Sequence, residues 1–71
     1  PNPSNNFINI RSDKDRLQKI ELYSMTGSLI FKTDVTANTY ALNIANYSIG
    51  TYLLRIINQN NERIQTKIIK K

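Results

Sequence analysis

The chain has 71 residues and a formal net charge of +5, with an isoelectric point near 9.8. So short a chain makes one small domain and buries only about 60% of the surface its unfolded form exposes. Histidine and cysteine are absent, which removes the commonest general base, the thiol nucleophile and any disulfide that could brace a small core. No apolar run is long enough for a transmembrane helix or for the h-region of a signal peptide.

Residues 1–6, PNPSNN, have the composition of a linker. Two prolines fix φ and withhold donors, and Asn2 is pushed to an extended conformation by Pro3. The expected layout is a linker at 1–6, joined to an upstream domain, and a β-domain at 7–71. The start at Pro1 without Met points the same way, to a piece of a longer protein. A first strand is expected at 7–11, with Ile8 and Ile10 on one face and Phe7 on the other. Ser12 to Arg16 follow as a charged connection of alternating sign. The D-x-D pair Asp13 and Asp15 lacks the glycine and the downstream bidentate Glu of a calcium loop, so it reads as a solvated turn and no metal is expected.

The second strand is expected at 17–24, with Ile20 and Leu22 inward and Lys19, Glu21 and Tyr23 outward. Met25, Thr26, Gly27 and Ser28 make a short glycine-containing loop, a hairpin signal. A third strand at 29–33 follows, with Ile30 and Lys32 facing away from Leu29 and Phe31. The fourth is expected at 39–44, where Leu42 and Ile44 alternate with polar residues. Asn46, Ser48 and Gly50 then break the pattern, and Tyr52, Leu54 and Ile56 resume it in a long strand at 51–58. A polar turn over residues 59–62 leads to a last strand at 63–69.

Gly50 sits where the chain turns into the long strand, a place for positive φ. Tyr52 two residues later resembles the tyrosine corner of immunoglobulin-like sandwiches, whose hydroxyl returns to the backbone just upstream. An ordinary β-turn followed by an aromatic strand residue accounts for the same letters. Six short strands without a helical period argue an all-β, antiparallel, immunoglobulin-like sandwich of six to seven strands.

The chemistry available is that of a binding or signalling domain. With five carboxylates, no His, no Cys and two glycines, neither a catalytic constellation nor a phosphate loop can be assembled, and no cofactor is implied. Lys14, Arg16, Lys19, Lys32, Arg55, Arg63 and Lys67 scatter over several elements. Nucleic-acid binding would need an aromatic cluster among them, which is missing. Lysines that guard sheet edges explain the charge more simply. The end of the chain differs: Lys67, Ile68, Ile69, Lys70 and Lys71 form an apolar and basic run that a partner could read by strand pairing and charge. Lys70 and Lys71 lie past the last apolar alternation, so a small contribution to folding is expected of them.

Taken in order, Pro1-Asn2-Pro3, the hairpin IELYSMTGSLI with Gly27, the run LNIANYSIGTYLLRI with Gly50 and Tyr52, and the basic end resemble one family. It is the type A C-terminal sorting domain of the type IX secretion system of Bacteroidetes, and the likeness covers all 71 residues. The resemblance implies a secretion signal on a cargo protein, passing through the periplasm to the medium or cell surface. Its implied partners are the outer-membrane translocon, its shuttle proteins and a cell-surface sortase that removes the domain. Asn43 and Ala45 depart from the family's usual Asp and Ser. The runner-up is a non-catalytic carbohydrate- or surface-binding module of an exported enzyme.

Overall fold

Alternation of apolar and polar residues yields six strands among the described residues: β1 (Phe7–Arg11), β2 (Leu17–Ser24), β3 (Leu29–Asp34), β4 (Thr39–Asn43), β5 (Gly50–Asn58) and β6 (Arg63–Lys70). The computed structural model describes residues 7–13 and 15–71. The expected linker at 1–6, with Pro1, Asn2 and Pro3, and the cation of Lys14 lie outside the described residues.

Every strand pair is antiparallel, in a two-stranded sheet β1-β4 and a four-stranded sheet β3-β2-β5-β6. The apolar faces of the two sheets meet in a sandwich-like core. Ile10 comes from β1, Leu42 from β4, Leu17, Ile20 and Leu22 from β2, and Tyr52 and Leu54 from β5. Val35 and Ile44, just past β3 and β4, close the ends of that core. Each buried Leu or Ile contributes about 1.5–3 kcal/mol through its apolar area. A domain of this size holds a total of roughly 4–10 kcal/mol, so few core positions are dispensable.

β2 is the central ladder. Ile20 and Leu22 are fully buried and lie opposite Ile56 and Leu54 of β5 on one side and Thr33 and Phe31 of β3 on the other. Two bulges break its regularity. One lies between Leu22 and Tyr23 in the β3 pairing, where Phe31 opposes Leu22 but Leu29 opposes Tyr23. The extra residue Ile30 absorbs the shift, so strict alternation, with Leu29 and Phe31 on one face, does not hold there. Leu29 and Ile30 are both exposed.

The hairpin and the corner follow from local chemistry. Gly27 has φ +93°, and its N–H donates to the Ser24 carbonyl at 3.0 Å, a turn geometry that a Cβ resists. β4 ends at Asn43, one residue before the expected end, because the Ala45 N–H donates to Asn43 Oδ1 at 2.9 Å. This Asx turn needs only a side-chain oxygen. An amide therefore serves where a carboxylate is usual, and the departure at Asn43 leaves the turn intact.

Gly50 opens β5 at φ +153° with nothing within 4 Å of where a Cβ would stand. The requirement for glycine there is conformational and not a matter of space. Tyr52 is buried, its hydroxyl donates to the Ser48 carbonyl at 2.5 Å, and its ring lies 6.1 Å from that of Tyr47. The tyrosine-corner arrangement is thus the one adopted.

Two stability measurements test this corner by urea denaturation. Gly50→Ala should cost about 1–2 kcal/mol, although the position is open. Tyr52→Phe should cost about 0.5–1.5 kcal/mol, one net hydrogen bond, whereas Tyr52→Ala at about 3–5 kcal/mol should leave the domain largely unfolded. A Tyr52→Ala variant with the parent midpoint would contradict the corner's role.

Candidate functional site

The candidate recognition residues 67–71 lie on and just beyond β6, which among the described residues pairs with β5 alone and forms one edge of the four-stranded sheet. An edge strand presents alternate N–H and C=O groups outward, a template for an added strand. Register sorts its side chains into two sets. Ile64, Thr66, Ile68 and Lys70 stand opposite Ile56, Leu54, Tyr52 and Gly50 and share the core-facing side. Arg63, Gln65, Lys67 and Ile69 stand opposite Ile57, Arg55, Leu53 and Thr51 on the outer side.

The five candidates therefore do not act alike. Lys67 and Lys71 are exposed, and Ile69 is 58% exposed despite its apolar side chain. Ile68 is partly buried against the core. Lys70 is only 9% exposed, which corrects the expectation that it adds little to folding. Its Nζ donates to the carbonyls of Ile44 and Ala45, each at 2.8 Å, and of Tyr47 at 2.6 Å. An ammonium has three donors and no acceptor capacity, and here each donor has a carbonyl. The carbonyl dipoles thereby offset part of the cost of burying the charge.

The segment between β4 and β5 is consequently gripped from two strands. Lys70 on β6 holds its carbonyls at 44, 45 and 47, and Tyr52 on β5 holds the one at 48. Between the buried Ile44 and Gly50 the segment is largely exposed, and as a loop it has no ladder to supply partners for its backbone groups. This loop obtains them from two side chains. One signal for Lys70 was present in the sequence: positions 64, 66, 68 and 70 share a parity, so Lys70 falls on the inward face.

The other candidates lie elsewhere. Gly27 is in the β2–β3 turn, while Gly50 and Tyr52 are at the corner. Asp13 pairs with Arg11 at 3.3 Å with both side chains well exposed, and Asp15 accepts from Asn60 Nδ2 at 3.2 Å. The basic residues read as scattered are in part collected. Lys19, Lys32, Arg55, Arg63 and Lys67 lie on the outer face of the four-stranded sheet, as the register requires. There Arg55 sits 5.1 Å over the Tyr23 ring and 3.5 Å from Glu21.

The profile of the secretion-system C-terminal sorting domain family matches residues 1–71. An endo-acting ulvan lyase of Formosa agariphila is 26% identical over 72 residues, which cover all of this chain and 14% of that protein.

The Lys70 clasp predicts an asymmetry between two adjacent lysines. Lys70→Met keeps the length but strips three carbonyls of their donor, and should lower stability by about 2–3 kcal/mol. In a domain this small that is a fall of roughly 10 °C or more in melting temperature. Lys71→Met should change stability by less than about 0.5 kcal/mol. Equal midpoints for the two variants in thermal melts would show that the clasp contributes nothing.

Proposed function

Because the chain belongs to the secretion-system C-terminal sorting domain family and is a type IX sorting signal, we propose that the β6 edge and its outward residues Lys67, Ile69 and Lys71 are what the machinery reads. The domain itself is a sorting signal, its function implies contact with the type IX machinery, and its destination is the exterior or the cell surface. The finer reading is the outer-membrane translocon and its shuttle proteins as readers, a periplasmic passage, and removal by a cell-surface sortase.

One observation carries this reading. Among the described residues, β6 has an edge that no strand pairs with, an exposed apolar residue and exposed cations, while Lys70 between them is turned inward. A partner strand laid on β6 gains register from the backbone and discrimination from alternate side chains. Cations at the rim of such a contact speed encounter with an acidic partner more than they add affinity. Lys70 and Ile68 act one step back, by holding the strand in place. The relative's lyase activity belongs to that protein, because the similarity spans a segment of sorting-domain length.

The test fuses the domain to a reporter in a bacterium that has this secretion system. Lys67→Glu with Lys71→Glu, and separately Ile69→Asp, alter exposed positions and should keep the melting temperature. Both should cut reporter in the medium or on the surface by about tenfold, a loss of about 1.4 kcal/mol of recognition, and leave it in the periplasm. Undiminished export of both folded variants would overturn the assignment of the β6 end as the recognised element.

A further inference from the structure

We infer that the outer face of the four-stranded sheet binds an acidic polysaccharide, through a depression formed by Gln18, Lys19, Ile57, Asn61 and Arg63. None of these five residues is among those proposed for recognition, although Lys67 and Ile69 stand on the same outer side, and the inference does not depend on how β6 is read. The depression has a volume of about 220 Å³. Lys19 and Arg63 flank Ile57 in one cross-strand row, β2 to β5 to β6. Two strand spacings put their backbones about 9.5 Å apart, so both long side chains can reach one acidic group above the apolar floor.

Local irregularities supply the rest. A bulge between Leu17 and Lys19 makes Gln18 an extra residue in the β2–β5 ladder. Consecutive residues Gln18 and Lys19 therefore line the same depression, which a regular strand forbids and a bulge permits. Asn61 has φ +64°, a conformation that asparagine tolerates better than most residues. Asn58 builds the turn that holds it, its Oδ1 accepting from the N–H groups of Asn60 at 2.9 Å and Glu62 at 3.0 Å. The result is two cations, two side-chain amides and an apolar floor in one hollow.

Each part suits a sugar acid. A guanidinium pairs with a carboxylate or sulfate by two parallel hydrogen bonds, and an ammonium adds a point charge. The two amides offer both donors and acceptors to hydroxyls, and Ile57 meets a sugar's C–H face. Lys32, Arg55 and Lys67 extend the positive charge over the same face. Its carboxylates are Glu21, which Arg55 and the Tyr23 hydroxyl engage, and Asp34, exposed at the β3 edge. Among the described residues of this face five cations stand against two carboxylates, Asp34 lying directly opposite Lys19 in register. A single-stranded nucleic acid would need stacking platforms, and the ring that this face offers, Tyr23, is covered by Arg55. The larger cleft on the other side, lined by Asp13, Asp15 and Glu62, has the wrong sign.

Affinity electrophoresis of the folded 71-residue domain tests this, with polygalacturonate, dextran sulfate, neutral dextran and a single-stranded oligonucleotide as probes. Retardation by one or both acidic glycans, and by neither dextran nor the oligonucleotide, is expected, the two glycans telling carboxylate from sulfate. Lys19→Gln with Arg63→Gln should weaken that binding at least tenfold. Arg11→Gln with Arg16→Gln, which removes the same charge elsewhere, should weaken it less than twofold. Equal loss in the two double variants, stronger binding to the oligonucleotide, or no retardation by either acidic glycan would each overturn the inference.

Discussion

One buried ammonium ties the end of this chain to its middle. Lys70 donates to three carbonyls of the segment that follows β4, and that segment also receives the Tyr52 hydroxyl. The corner, the start of β5 and the end of β6 therefore form one packed unit, with Gly50 and Lys70 directly opposite in register. Without a disulfide and with a small core, the domain depends on such side-chain-to-backbone contacts to close its irregular end. A charge is an expensive means of closure. It succeeds here because every donor is matched, and an incomplete match would leave a buried ion unpaired.

This arrangement bears on how a terminal sorting signal can be read. A basic peptide tail would be legible whether or not the preceding domain had folded. Here one lysine of the terminal run is consumed by the fold and its neighbours are fixed by it, so Lys67, Ile69 and Lys71 adopt defined positions only once the corner has formed. On the proposed reading, the β6 edge would be presented only by the folded domain. The outer face of the same sheet carries Lys67 and Ile69 as well as the depression around Ile57, so recognition at the strand end and binding across the sheet would use neighbouring parts of one face.

Most of the fold was legible because period-two alternation is strong in β1, β2 and β5. Ile8 with Ile10, Ile20 with Leu22, and Tyr52 with Leu54 and Ile56 marked inward faces that the structure keeps. The misreadings arose where a single residue alters parity or chemistry. Ile30 is taken up in a bulge, which no alternation rule anticipates, and the bulge at Gln18 escaped notice for the same reason. Lys70 was misplaced because residue type was allowed to outweigh parity: a lysine at a chain end suggests solvent, yet its position continues the inward series 64, 66, 68. What it bonds could not be read from sequence, since the acceptors are backbone carbonyls more than twenty residues upstream. The candidate recognition residues 67–71 were marked by their apolar and basic run and by resemblance, and burial divides them into those that face out and those that hold the strand.

The most direct measurement of the central claim is native-state hydrogen exchange on the domain with and without Lys70 and Lys71. Amides that open together share one opening free energy and lose protection together. With the full chain, the backbone N–H groups of Tyr47 and Tyr52 and those at the end of β6 should exchange with a common free energy. Removal of the two lysines should lower protection at Tyr47 and Tyr52 by the same amount, ahead of the amides of β2. Unchanged protection at Tyr47 and Tyr52 after the truncation would contradict the account, because the corner would then hold itself and the chain's end would be an appendage.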